Sequence, residues 1–218
     1  MRGFQYQQKG RFQRPFCFCD LPISIYNLIV MGLAKLKNKI GIAEYIEGEE
    51  VSEIRHEYIY GEVYAMAGAS DKHSVITGNI FGNLWIHLRN ASCQPFSENM
   101  KLRADEQTFY YPDVMVACDE TPVSSYYREE PVLLVEVLSP STERIDRNEK
   151  LTLYKQIPTL QEYLIVWQDK TYVELYRKQS DNSWETEVYD EMDSTIKLDS
   201  IDFSLTLTEI YRRVKFEN

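Results

Sequence analysis

The sequence predicts a domain of the α/β (α+β) class, and three observations carry that reading. Ile76, Ile80, Leu84 and Leu88 recur at four-residue spacing, the period of a helix with one buried face. Short runs rich in β-branched and aromatic residues, such as FYYPDVMVAC, PVLLVEVL and EYLIVW, read as strands. Hydrophobic residues make up 44% of a 218-residue chain with 16 Tyr and 9 Phe, enough for one domain with a full core.

The elements follow in chain order. Ile42–Glu49 (IAEYIEGE) predicts a short helix. Arg55–Ala67 (RHEYIYGEVYAMA) predicts an N-terminal β-hairpin turning at Tyr60-Gly61. Ser70 or Asp71 is placed to cap a helix over His73–Arg89. Strands are predicted near Cys93–Arg103, over Phe109–Cys118 and over Val132–Leu138. Asp146, with Glu149 three residues on, has the form of a capping box opening a helix that Pro158 stops. Tyr163–Trp167 and Tyr172–Arg177 predict a second hairpin, and a short helix near Thr208–Arg213 closes the chain.

Charge divides the chain. Residues up to Ile40 carry seven Lys or Arg against Asp20 alone, a surplus of +6; the whole chain is at −10, leaving −16 on the rest. Residues 1–40 are read as a basic extension, with Met31 a possible start of the native chain, and 41–215 as a single domain. An acidic body argues against nonspecific DNA binding by charge alone but permits local phosphate contacts or a divalent cation. Cys17 and Cys19 lack zinc-ligand spacing, and Cys93 and Cys118 read as core thiols of a reducing, cytoplasmic protein. No stretch has the ~20 apolar residues of a membrane helix.

Two acids break otherwise apolar strands: Asp113 in FYYPDVMVAC and Glu136 in PVLLVEVL. Alternation puts Asp113 on a face with Tyr111 and Met115, and Glu136 with Leu134 and Leu138. If the two strands pair with those faces matched, the carboxylates meet. They would repel unless a cation sits between them, and oxygen donors suit Mg²⁺ or Mn²⁺. Lys150 and Tyr154 share one face of the next helix and can point back at the acids. The loop SPSTERIDR adds hydroxyls and arginines suited to phosphate. The plain alternatives are a solvated helix lysine and a core tyrosine.

These residues resemble the PD-(D/E)xK nuclease superfamily, and HEYIYGEVYAMAGAS..H, YYPDVMVACD, VEVLSPST...D...K...Y and EYLIVW resemble its Uma-type restriction endonuclease branch. The resemblance covers about Ile42 to Tyr211. It implies a restriction-endonuclease-like core, a central mixed sheet flanked by helices. It also implies a Mg²⁺-dependent endodeoxyribonuclease, with DNA as partner and dimers common in the fold. Asp113 and Glu136 would hold the metal with the Val137 backbone carbonyl, and Lys150 would act on the attacking water or the developing charge. Two departures stand out. The usual lysine position holds Leu138, so the role is carried to Lys150 on the following helix. The helix His73–Arg89 holds no acid, so Glu57 or Glu62 is the candidate substitute. His73, at a helix N-terminus whose dipole would lower its proton affinity, is a further candidate. The alternatives are a catalytically inactive nuclease-fold binding or assembly module and, last, a metal-free two-carboxylate glycosidase.

Overall fold

The computed structural model describes residues 39–66, 68–139 and 143–216. The basic extension and the candidate start at Met31 lie outside the described residues. Helix α1 (Ile42–Val51) leads into strands β1 (His56–Ile59) and β2 (Glu62–Ala65). These form a hairpin with Tyr58 opposite Val63. Its turn holds Tyr60 at φ 49° and Gly61 at φ 90°, a pair of left-handed residues that matches the twist of the strands.

Helix α2 (Asp71–Leu88) follows, and the Ser70 side chain accepts a hydrogen bond from the His73 N–H at 3.1 Å, so Ser70 is the cap. The single strand expected near Cys93–Arg103 is two: β3 (Gln94–Ser97) and β4 (Lys101–Asp105), which lie in different sheets. The run Phe109–Cys118 divides in the same way into β5 (Thr108–Tyr110) and β6 (Val114–Ala117). Tyr111-Pro112-Asp113 is the break, because Pro112 has no N–H to give a ladder and fixes its own φ.

The central sheet has the order β11-β10-β9-β8-β6-β3, built on β8 (Pro131–Leu138), β9 (Glu162–Trp167), β10 (Val173–Lys178) and β11 (Trp184–Tyr189). It is mixed: β8 and β9 run parallel and the neighbouring pairs antiparallel. A smaller sheet, β2-β1-β5-β4-β7, ends on β7 (Tyr127–Arg128). Strands β12 (Thr195–Leu198) and β13 (Phe203–Thr206) pair with each other, and a short helix near the C-terminus (Leu207–Ile210) follows.

Alternation along β8 sorts two cores. Leu133, Val135 and Val137 pack with Ile76, Ile80, Leu84 and Leu88 of α2. Leu134 and Leu138 face the opposite way, toward Tyr154, Tyr163, Leu102 and Tyr110. Glu136 shares that second side, so the acid stands in the core between the two sheets.

Two expectations need correction. Asp146 does not cap a helix. It lies inside a π-helical turn (Ile145–Lys150) that continues into α3 (Leu151–Tyr154), buried at 2% exposure. Its carboxylate meets Lys150 one turn on, which draws it inward instead of back onto the backbone. Cys93 and Cys118 are not free thiols but a disulfide, with Cα atoms 3.9 Å apart. Gln94 opposes Ala117, so the next residues out face each other across β3 and β6.

Candidate active site

The register of β6 on β8 sets the site. Val114 opposes Val135 and Met115 opposes Leu134, so one step further Asp113 lies across from Glu136. Asp113 follows Pro112, where the strand has ended, and its Oδ2 accepts a hydrogen bond from the Val137 N–H at 2.6 Å. His73 Nε2, from the first turn of α2, is 3.1 Å from the same oxygen.

Glu136 is 4% exposed. Its Oε1 accepts from Lys150 Nζ at 3.1 Å and from the Tyr154 hydroxyl at 3.0 Å. Lys150 Nζ is also 3.1 Å from Glu57 Oε1 and 3.2 Å from Asp146 Oδ1. The Asp146 contact is ionic and not a directed hydrogen bond, since Oδ1 finds no hydrogen-bond partner. The Tyr110 ring lies 5.1 Å from the ammonium, and Tyr163 donates to the Asp146 carbonyl at 3.2 Å. Glu57 reaches the site because β1 alternates: Tyr58 enters a small core under α1, and Glu57 turns to the opposite face. Glu62, the other candidate, accepts from Tyr64 at 2.6 Å on the exposed hairpin.

The structure thus brings Asp113, Glu136, Lys150, His73, Glu57 and Tyr154 into one contiguous cluster, with Val137 entering through its N–H. Sequence reasoning missed Asp146 as a member. Its spacing of four from Lys150 was the available signal.

Electrostatics follow from crowding. Burial, first, pushes the Glu136 carboxyl well above its ordinary range; Lys150 opposes this, and Asp146, Asp113 and Glu57 reinforce it. Burial alone would lower the Lys150 ammonium, but Glu136, with Tyr154, Glu57 and Asp146, raises it. Both groups are therefore biased toward holding a proton, Glu136 chiefly by burial and Lys150 by the acids gathered around it. His73 departs from the expected dipole effect. Burial does pull its proton affinity down, but the hydrogen bond and charge of Asp113, helped by Glu98 and Asp146, carry it above the usual histidine value.

The mixed central sheet thus carries paired strand acids and a lysine from the helical turn that follows β8. Residues 42–208 match the Uma2 family, described as "Putative restriction endonuclease", and the chain belongs to that family. It is 37% identical over 180 residues to the uncharacterized protein slr1290 of Synechocystis sp., covering 82% of this chain and 94% of that protein. It is 38% identical over 146 residues to the uncharacterized protein sll1609 of the same organism, covering 65% and 82%. The fold matches the crystal structure of a "putative nuclease belonging to DUF820" from Anabaena variabilis, with a TM-score of 0.61 and 20% identity, over 73% of this chain and 91% of that one.

Proposed function

We propose that the protein is a divalent-metal-dependent endonuclease that hydrolyses DNA phosphodiester bonds at Asp113 and Glu136. The observation that carries this reading is the excess of buried acid. The buried Asp113, Glu136 and Asp146, with the partly buried Glu57, face one lysine and one histidine, and buried charge is ordinarily paired or metal-bound. The donor set fits Mg²⁺ or Mn²⁺. The hydrogen bonds on Glu136 fall on Oε1 and those on Asp113 on Oδ2, which leaves Oε2 and Oδ1 for a cation among the described residues. Among the described residues no group of three or more His, Cys, Asp or Glu side chains is placed to hold a metal ion; Mg²⁺ is commonly held by only one or two carboxylates, with water and substrate phosphate completing the shell.

Asp113 and Glu136, with the Val137 carbonyl, would hold the ion, and when bound it would supply an activated water and charge neutralisation at the phosphate. Lys150 is held by Glu136, Glu57 and Asp146 at a position from which its ammonium faces the developing negative charge. Asp113 is held in turn by the Val137 N–H and His73, which fix its carboxylate plane.

Purified protein is expected to nick supercoiled plasmid in Mg²⁺ or Mn²⁺ and not in chelator. Asp113→Ala is expected to abolish cleavage with the thermal transition retained; cleavage that survives in that variant contradicts the assignment. A second reading, a binding module on the same fold, draws on one observation: three carboxylates already crowd the Lys150 ammonium within 3.2 Å. It predicts DNA binding without cleavage in any metal.

A further inference from the structure

Helix α2 buries one face and leaves large apolar side chains on the other. Ile76, Ile80, Leu84 and Leu88 enter the core. Trp85 and Ile86 are 53% and 66% exposed on the outer side. The Phe81 ring flanks Trp85 at 5.9 Å. This outer side has a period of its own. Asp71, Val75, Gly78, Gly82, Trp85 and Arg89 follow one another in steps of four and three, the spacing of a seam along which a second helix packs. Arg89 stays on the stripe because it keeps helical dihedrals at the C-cap, φ −54° and ψ −22°.

The fold itself does not call for the two glycines of that seam. Glycine in a helix interior is less stable than alanine, and a Cβ added at Gly78 or Gly82 would meet nothing within 4 Å. A backbone left bare suits the close approach of something from outside. The seam is also complementary to its own reverse. Laid antiparallel on a copy of itself about Ile80, it sets Gly78 against Gly82, Val75 against Trp85 and Asp71 against Arg89, and a two-fold makes each pairing twice. Small then meets small at the crossing, and acid meets base at the ends. Asp71 and Arg89 are both exposed, and neither enters an ion pair among the described residues. The chain as a whole carries a net charge of −10, but α2 holds a single acid, Asp71, with Lys72 beside it. It is a face on which two acidic bodies can meet without repulsion.

We propose that the outer face of α2 docks on the same face of a second copy of this chain, as an antiparallel helix pair crossing at Gly78 and Gly82. On the inward side, the first turn of α2 carries His73 to Asp113, so the pair holds two candidate sites, one toward each end. The proposal stands independently of the nuclease reading.

Sedimentation equilibrium of the full chain over a wide range of concentration is the test. Wild type is expected to associate into dimers. Asp71→Arg alone and Arg89→Asp alone each set like charges against one another, and each is expected to weaken the dimer by about tenfold. The two reversals together are expected to restore it. Within one chain the two positions lie about 27 Å apart at 1.5 Å per residue, so a rescue can only come across two copies. Gly78→Ala with Gly82→Ala supplies a second readout. In the dilute monomer it is expected to raise the thermal transition, as alanine does inside a helix, while it weakens the dimer. Wild type that stays monomeric throughout overturns the proposal, and is the result expected if another segment of the same chain covers α2. A dimer indifferent to both charge reversals, single losses without rescue in the double variant, or a monomer that the alanines destabilise also overturns it.

Discussion

Glu136 sits among Leu134, Leu138, Tyr154 and Tyr163 because one oxygen of its carboxylate is held by Lys150 and Tyr154. Lys150→Met leaves the buried Glu136 and Asp146, and the partly buried Glu57, without their cation. Breaking such a pair costs about 3–5 kcal/mol, so a marked drop in the urea midpoint is expected along with loss of cleavage. Tyr154→Phe removes one donor to Glu136 and is expected to cost about 1–3 kcal/mol, read by the same titration. At this scale much was legible in the sequence. Asp113 and Glu136 announced themselves as acids inside apolar strands, and the four-residue step from Lys150 to Tyr154 gave their shared face. Asp146 was not legible as a site residue, because the same spacing to Glu149 also writes a capping box. Only the tertiary position of the π-helical turn decides which pairing forms.

Elements set the directions in which those side chains point. The hairpin turn depends on Gly61, whose φ of 90° suits glycine and whose added Cβ would lie 2.7 Å from the Lys39 Cβ. Gly61→Ala is therefore expected to cost about 1 kcal/mol or more, seen as a lower thermal transition. Ser70→Ala removes the α2 cap and is expected to cost about 1 kcal/mol. The same loss would loosen the first turn that carries His73 to Asp113. Periodicity revealed α2 and the strands, because one face of each is buried and the other is not. It did not reveal that two strands break, since β3 with β4 and β5 with β6 are each continuous in apolar character. Which short strand joins which sheet is a choice of long-range pairing that no local pattern records.

The whole molecule joins a central mixed sheet to a smaller sheet through their shared core, with the acid pair at the point where β5 gives way to β6. The Cys93–Cys118 bond ties β3 to the far end of β6, across a sequence separation of 25 residues. Reduction is expected to destabilise the chain by about 2–4 kcal/mol. The check is urea unfolding with and without a dithiol, with Cys93→Ser as the variant on which the dithiol has no further effect. The fold class followed from composition and the order of periods, whereas the disulfide did not, because cysteine pairing needs a strand register that sequence spacing leaves open. The central claim is that buried acid at Asp113 and Glu136 is a place for a divalent cation. Calorimetric titration of Mn²⁺ into the DNA-free protein tests it without needing the target sequence. The account predicts binding in the micromolar range that is lost in Glu136→Gln. Absence of binding in wild type, or equal binding in Glu136→Gln, would contradict it.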